Sequence, residues 1–290
     1  MFKGSMVALV TPFIGGKIDE KALKSLIDFQ IKNGTTAIVP CGTTGESPTL
    51  SYEEHERVIE LTIKFAAGRV PVIAGTGANS TDEAIMLTRH AEAAGAAGSL
   101  QVSPYYNRPT QKGLYLHFKA IADSVKIPII LYNIASRTGV NIEPDTFAKL
   151  AAIKNIVGVK EASGNLEQMS RIKKVCPKEF LLISGDDALT LPVMAIGGVG
   201  IISVVSNVIP KDVAAMVNAA AKGNMKDAAS LHYKMLDLVK AMFVETNPIP
   251  VKTALGLMKM IDPEIRLPLC EMMPENKEKL VKALKDYKLI

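Results

Sequence analysis

The sequence predicts a (β/α)8 barrel followed by a C-terminal helical subdomain, and two observations support this prediction. Short apolar segments recur along the first three quarters of the 290-residue chain, with segments of helical periodicity between them. Successive apolar segments are spaced by roughly 20 to 35 residues, which suits the βα units of such a barrel. After Ala221 the alternation stops, and helical segments follow without an intervening strand.

The apolar segments are the predicted strands. Most are continuous runs of Val, Ile and Leu, which is typical of parallel strands buried on both faces. They span residues 6–10, 36–40, 70–74, 99–103, 127–132, 156–160, 180–184 and 200–205. An open doubly wound sheet is the alternative, but the turn after the first segment lacks the GxGxxG pattern that often opens such a sheet.

Local patterns predict the first helices. Residues 19–33 place their apolar side chains on one stripe. Ser51 and Glu54 have the spacing of a capping box that begins a helix over 52–66, and residues 80–94 begin with Ser-Thr-Asp-Glu, a pattern typical of a helix N-terminus. A glycine follows each of these helices, as expected at a helix C-terminus: Gly34, Gly68 and Gly95.

The same periodicity predicts helices over 224–243, 248–260 and 274–287 in the tail. We therefore expect a catalytic barrel over 1–223 and a helical subdomain over 224–290. No low-complexity linker separates them, and the tail is too short for us to expect it to fold independently.

Composition excludes several classes of protein. With 48% hydrophobic and 22% charged residues, the chain is an ordinary globular protein and not a disordered one. The net charge of +5 comes from Lys and Arg scattered along the chain, so no nucleic-acid partner is predicted. No stretch approaches the roughly 18 to 20 apolar residues of a membrane span, and residues 1–10 lack a signal-peptide pattern.

The cysteines indicate the compartment. Cys41, Cys176 and Cys270 are widely spaced, and no CxxC motif occurs. This pattern suggests neither a zinc site nor a disulfide framework, and it fits a reducing cytoplasm. The chain also has no H-x-x-x-H and no P-loop motif, so we expect no metal and no cofactor.

In a (β/α)8 barrel the active site lies at the C-terminal ends of the strands. The second predicted strand is followed by Cys41-Gly42-Thr43-Thr44-Gly45-Glu46-Ser47. Two glycines flanking two threonines expose backbone N–H groups beside two hydroxyls, and such a turn can hold a carboxylate. The alternative is a tight turn in which the hydroxyls only cap the backbone.

Lys160 ends the sixth predicted strand. Burial disfavours an ammonium and lowers its pKa, and the neutral amine can then attack a carbonyl to form a Schiff base. The alternative is a stem packed in the barrel with its charged end in solvent.

Other strand ends add polar groups. Tyr105 and Tyr106 follow the fourth strand, Tyr132 ends the fifth, and Arg137 follows it. A lone Tyr at a strand end is often only a rim residue. Two threonines, these phenols, a lysine and an arginine at one mouth suit chemistry on a 2-oxo acid. Gly185, after the seventh strand, would let a substrate approach the backbone.

Three motifs resemble a known family. They are Gly42-Thr43-Thr44-Gly45-Glu46, Tyr132-Asn133 with Ser136-Arg137-Thr138-Gly139, and Gly158-Val159-Lys160-Glu161. In this order and spacing they resemble the pyruvate-dependent class I aldolases and lyases, the family of dihydrodipicolinate synthases and N-acetylneuraminate lyases. The resemblance covers essentially the whole chain.

The resemblance is greatest to the synthase branch, because Arg137 stands where that branch binds the carboxylate of a semialdehyde with an arginine. It implies condensation of pyruvate with L-aspartate 4-semialdehyde in the diaminopimelate route to lysine. Ala135 stands where Pro is usual, a difference that affects loop stiffness. The alternatives are a lyase or aldolase for a 2-oxo sugar acid, such as N-acetylneuraminate or 2-keto-3-deoxygluconate, and a catalytically silent relative that binds a small ligand.

The resemblance also implies a role for each site residue. Lys160 forms the imine, Tyr132 exchanges protons with it, and Thr43 and Tyr106 complete a proton relay. The substrate-binding positions are Thr44, Arg137, Gly185 and Ile202.

Assembly and regulation are implied as well. In similar proteins the residue at Tyr106 reaches into the partner's site, so we expect a homo-oligomer, most simply a tetramer built as a dimer of dimers. Five positions match those that bind inhibitory L-lysine: Ser47, His55, Asn79, Glu83 and Tyr105. Pro48 and Tyr52 depart from the lysine-sensitive pattern, which suggests weakened inhibition. For Asn79 and Glu83 the alternative role is capping of the helix that begins near Ser80.

Overall fold

The computed structural model describes residues 2–290, so Met1, the first residue of the predicted barrel, lies outside it. Eight parallel strands form the barrel. They are β1 Gly4–Ala8, β2 Ala37–Val39, β3 Ile73–Gly75, β4 Gly98–Val102, β5 Ile129–Asn133, β6 Ile156–Glu161, β7 Leu181–Ser184 and β8 Gly200–Ser203. Each predicted strand is present within a few residues of its expected bounds, and the predicted fold class is confirmed.

Strand pairing nearly closes the barrel. β1 lies between β2 and β8, and each later strand pairs with its sequence neighbours from β3 onwards. The remaining seam, between β2 and β3, is bridged by the pairing of Ile38 with Val72. Because all strands are parallel, their C-terminal ends meet at one mouth.

At least one helix follows each strand, and three further helices make up the tail. The helices are α1 Glu20–Lys32, α2 Tyr52–Ala66, α3 Thr81–Ala94, α4 Gln111–Ser124, α5 Ala135–Thr138, α6 Pro144–Leu150, α7 Leu166–Val175, α8 Thr190–Ala195, α9 Pro210–Ala221, α10 Met225–Ala241, α11 Ile249–Leu257 and α12 Pro274–Asp286. In the part of the chain that is described, no helix is both long and apolar enough to cross a membrane.

Local chemistry explains several helix ends. The capping box of α2 is present: Glu54 N donates to Ser51 Oγ at 3.2 Å, and Ser51 N donates to Glu54 Oε2 at 3.1 Å. Ser80 precedes α3 but makes no side-chain cap. The sequence analysis also missed a short antiparallel hairpin between Phe13–Ile14 and Lys17–Ile18, because two-residue strands leave no detectable periodicity.

Two apolar clusters position the site. One fills the barrel interior with side chains from the strands, among them Met6, Val39 and Ile183, and it includes Tyr132 and Ile202. A second cluster joins β1, α1 and α9 to the C-terminal helices in one continuous core. The tail therefore packs directly on the barrel, while the boundary at residue 223 stays a prediction.

Candidate active site

A cavity of about 220 Å³ opens at the C-terminal mouth of the barrel. Its wall comes from the loops and strand ends after β2, β3, β4 and β5. The residues that line it include Thr43, Ser47, Tyr105, Tyr132 and Arg137, all of which were predicted site residues. The strand ends thus bring together side chains that are distant in sequence.

Lys160 and Tyr132 lie side by side in the barrel. The two residues are register partners on β6 and β5, and the Lys160 Nζ atom lies 4.1 Å from the centre of the Tyr132 ring. Both are buried. A primary amine and a phenol are therefore in contact in a space that bulk water does not fill.

Burial makes the Lys160 amine less basic. Desolvation lowers the pKa of Lys160 from its ordinary value to about 8, the Asp187 carboxylate opposes that shift, and the Arg137 guanidinium adds to it. About a tenth of the amine is therefore in the neutral, nucleophilic form at pH 7, far more than for a lysine with the ordinary pKa of 10.5. The sequence alternative of a lysine whose charged end reaches solvent is wrong for this side chain.

The phenol of Tyr132 keeps its proton. Desolvation raises the pKa of Tyr132 to about 12, although the Arg137 charge and a hydrogen bond with Thr43 act in the opposite direction. A protonated phenol beside a partly neutral amine is suited to deliver a proton to a developing hydroxyl. Thr43, on the turn after β2, lines the same cavity as this phenol.

The turn after β2 is rigid. Gly45 N and Ser47 N both donate to Gly42 O, at 3.0 and 3.3 Å. Cys41 and Glu46 adopt left-handed backbone with φ of 54° and 55°, a conformation that costs free energy and persists only where the surroundings enforce it. The backbone of this turn and its hydroxyls are therefore held in place before any ligand arrives.

A buried ion pair fixes the end of this turn. Glu46 Oε1 lies 2.6 Å from Lys252 Nζ, and both side chains are only 1% exposed. Arg266 N donates to the other Glu46 oxygen at 3.1 Å. Both partners, the Lys252 ammonium and the Arg266 backbone N–H, come from the C-terminal segment. Neither was predicted, because nothing local in the sequence pairs Glu46 with residues more than two hundred positions away.

Two further predicted positions surround Lys160. Gly185 follows β7, and a Cβ atom there would lie 3.1 Å from Lys160 Cγ and 2.8 Å from Ala162 Cβ. Glycine is thus required for the lysine stem to pack where it does. Ile202 lies on β8 in the interior cluster, fully buried.

Asp187 is a buried acid to which the sequence analysis assigned no role. Its carboxylate accepts from Ser203 Oγ at 2.5 Å and from Val204 N at 3.0 Å. Burial raises the pKa of Asp187 to about 6. At neutral pH it carries the negative charge that keeps the pKa of Lys160 from falling further.

Arg137 and Thr44 are both tied to Asn247. Arg137 Nη2 donates to the Asn247 carbonyl at 3.1 Å, and Asn247 Nδ2 donates to Thr44 Oγ1 at 3.0 Å. Thr44 is buried within the turn and, like Lys160, is not among the residues that line the cavity. Asn247 is a site residue that the sequence analysis missed.

Tyr106 does not line the cavity of its own chain. Its side chain is 91% exposed, and its backbone is left-handed with φ of 72°. Tyr105, in contrast, is partly buried and lines the cavity. The adjacent tyrosines thus face different surroundings.

The predicted regulatory positions are adjacent to the cavity. Asn79 Nδ2 donates to Tyr105 O at 3.3 Å, and the negative charge of the Glu83 carboxylate raises the pKa of Tyr52. Ser47 and Tyr105 share the cavity wall. His55 is buried instead, and desolvation lowers its pKa to about 4, so it is neutral at physiological pH.

Known proteins are similar to this chain in sequence and fold. The sequence profile of the dihydrodipicolinate synthetase family matches residues 1–287. A 4-hydroxy-tetrahydrodipicolinate synthase of Syntrophus aciditrophicus is 61% identical over 290 residues, covering 100% of both chains. The resemblance inferred from the motifs is thereby confirmed.

Solved structures of the same family have the same fold as this chain. The chloride-inhibited dihydrodipicolinate synthase of Acinetobacter baumannii, crystallised with pyruvate, has a TM-score of 0.98, 46% identity and coverage of 100% of both chains. The enzyme of Cyanidioschyzon merolae with lysine bound has a TM-score of 0.96 and 42% identity, covering 100% of this chain and 99% of that one.

Proposed function

The chain belongs to the dihydrodipicolinate synthetase family, and from that premise we propose that it condenses pyruvate with L-aspartate 4-semialdehyde to 4-hydroxy-tetrahydrodipicolinate. One observation carries the proposal. The Lys160 amine is buried, has a pKa lowered to about 8 and lies against the Tyr132 phenol. A nucleophilic amine beside a proton donor is what Schiff-base formation from a ketone requires.

The first step joins Lys160 to pyruvate. The neutral amine attacks the ketone carbon, Tyr132 supplies a proton to the oxygen, and water leaves as the imine forms. The Tyr132 phenolate then takes a proton from the pyruvate methyl group, which yields an enamine and restores the phenol. Desolvation supports both Lys160 and Tyr132 in the neutral forms that this step needs.

The two carboxylates are held separately. The Thr43–Thr44 turn receives the carboxylate of pyruvate, while Gly185 and the Ile202 backbone complete the pocket around Lys160. Arg137 lines the same cavity and binds the carboxylate of the semialdehyde, for which a planar guanidinium is suited. This arrangement places the semialdehyde next to the enamine.

The second step makes the carbon–carbon bond. The enamine carbon attacks the aldehyde, whose oxygen takes a proton and becomes the 4-hydroxyl group. The amino group of the semialdehyde then attacks the imine carbon, closes the six-membered ring and releases the Lys160 amine. The lysine returns to its starting state, so the cycle consumes no further reactant.

Assembly completes the proton relay. Tyr106 is exposed on the isolated chain, so it is available to enter the site of a second copy, where Thr43 and Tyr132 would link it to the reacting atoms. We therefore extend the proposal to a homotetramer built as a dimer of dimers. The three cysteine thiols are unpaired, which supports a cytoplasmic location.

L-Lysine is the proposed effector, with weakened binding. An amino acid in the pocket of Asn79, Glu83 and Tyr105 needs the Glu83 carboxylate for its ammonium. In this chain the Tyr52 phenol lies within the influence of the Glu83 charge and competes with the ammonium for that carboxylate. Titration of the activity of the wild type and of Tyr52→His with L-lysine tests this. Inhibition of the wild type should begin at a higher lysine concentration than inhibition of Tyr52→His.

Borohydride trapping tests the catalytic proposal. Pyruvate plus borohydride should add mass irreversibly at Lys160, and Lys160→Ala should remain unmodified. Arg137→Ala should still be trapped by pyruvate but should use the semialdehyde poorly. A wild-type protein that stays unmodified, or an Arg137→Ala variant that loses trapping, would contradict the assignment.

A coupled assay separates the proposed reaction from the lyase alternative. Activity with pyruvate and aspartate semialdehyde, without cleavage of N-acetylneuraminate or 2-keto-3-deoxygluconate, is the expected result.

A further inference from the structure

Asn247 connects the two carboxylate-binding residues from outside the barrel. It precedes α11 in the C-terminal segment and is 5% exposed. Its side-chain Nδ2 donates to Thr44 Oγ1 at 3.0 Å, while its backbone carbonyl accepts from Arg137 Nη2 at 3.1 Å. The amide oxygen has no protein partner among residues 2–290, so the contact with Thr44 is what orients the amide.

The direction of the Thr44 contact has a chemical consequence. A hydroxyl has one proton to donate and two lone pairs that accept. Because Thr44 Oγ1 accepts from Asn247, its own proton remains available. Within the described residues no hydrogen bond uses that hydroxyl as a donor to a protein acceptor. A hydroxyl polarised by one donor is also a stronger donor itself.

We propose that Asn247 is a positioning residue that directs the Thr44 hydroxyl proton toward the carboxylate of pyruvate. The inference rests on the proposed function and deepens it by naming what prepares the carboxylate site. Asn247 acts through Thr44, and its backbone carbonyl also accepts a hydrogen bond from Arg137. The C-terminal segment thereby takes part in substrate recognition.

An isosteric substitution tests the direction of the bond. Asn247→Asp replaces the donor by an acceptor, so the Thr44 hydroxyl turns to donate to Asp and is lost to pyruvate. Asn247→Ala removes the donor but leaves the hydroxyl proton free. The readout is the pyruvate concentration that gives half-maximal borohydride trapping at alkaline pH, which involves one substrate only.

We expect Asn247→Asp to raise that concentration by about ten- to a hundredfold, as for loss of a hydrogen bond to a charged group, and Asn247→Ala to raise it by about threefold. In a Thr44→Val background the two variants should become equal, because the hydroxyl they act on is absent. Equal effects of Asn247→Asp and Asn247→Ala in the native background would overturn the proposal. A difference between them that persists in the Thr44→Val background would also overturn it, because charge repulsion between the introduced carboxylate and pyruvate does not need the hydroxyl.

The remaining variants keep the test decisive if Asn247→Asp does not fold. Asn247→Ala and Thr44→Val should then be non-additive, with the double variant no worse than Thr44→Val alone. Additive effects would overturn the inference. A wild type that pyruvate does not trap at all would instead overturn the proposed function, so the two failures are distinguishable.

Discussion

The Lys160 side-chain nitrogen lies 4.1 Å from the centre of the Tyr132 ring, across a pair of register neighbours on adjacent strands. Burial lowers the pKa of the amine to about 8 and raises that of the phenol to about 12. Both shifts favour the uncharged forms, so one residue is prepared to attack a carbonyl and the other to give a proton.

The rate of imine trapping at saturating pyruvate should depend on the charge of Lys160. Because the pKa of Lys160 is lowered to about 8, the rate should rise with pH up to about 8 and then level off. Below that pH it should fall about tenfold per pH unit, since the protonated amine cannot attack. A midpoint near the ordinary lysine pKa of 10.5 would contradict the burial argument.

Tyr132→Phe should lower turnover by roughly 10² to 10⁴, the usual loss when an acid–base group is removed. The ring stays in the interior cluster, so the thermal unfolding midpoint should change little. Steady-state kinetics together with a thermal melt check this. Undiminished turnover in a folded variant would remove Tyr132 from the mechanism.

Asp187→Asn should shift the pH profile of trapping to lower pH. The carboxylate raises the pKa of Lys160 by favouring its ammonium form, so the pKa should fall below about 8 when that charge is removed. The measurement is the midpoint of the trapping rate against pH in both proteins. An upward shift would show that Asp187 does not act on Lys160 in this way.

Gly185→Ala should impair trapping by displacing the lysine stem. The added Cβ would lie 3.1 Å from Lys160 Cγ and 3.2 Å from Glu161 O, tighter than the roughly 3.5 Å or more of good carbon contacts. We expect trapping to slow by about tenfold or more, as misplacement near the reacting atoms does. Gly113→Ala on α4, outside the cavity, is the matched control and should trap normally.

Lys252→Met should destabilise the protein because it leaves Glu46 charged and buried. Loss of one partner of a buried pair costs about 3 to 5 kcal/mol, whereas replacement of both by neutral groups costs much less. The free energy of unfolding in urea should therefore be lower for Lys252→Met than for the double variant Glu46→Gln/Lys252→Met. Equal values would show that the pair is effectively solvated, contrary to the 1% exposure of both side chains.

The barrel and its Schiff-base chemistry could be predicted from local sequence patterns. Continuous β-branched runs mark strands buried on both faces, and these runs located all eight strands. The same runs placed Lys160 and Tyr132 at strand ends, and parallel strands bring their ends to one mouth. The capping box at Ser51 and Glu54 was equally visible, since its contacts span three residues.

The contacts that hold the site in place join residues far apart in the chain. Thr44 contacts Asn247 across 203 positions, and Glu46 contacts Lys252 across 206. Hydrophobic periodicity and capping are local properties, so they leave a trace in any short window of sequence. A polar contact between distant residues depends on the path of the whole chain, and for this reason the contribution of the C-terminal segment to the site became visible only in the folded molecule.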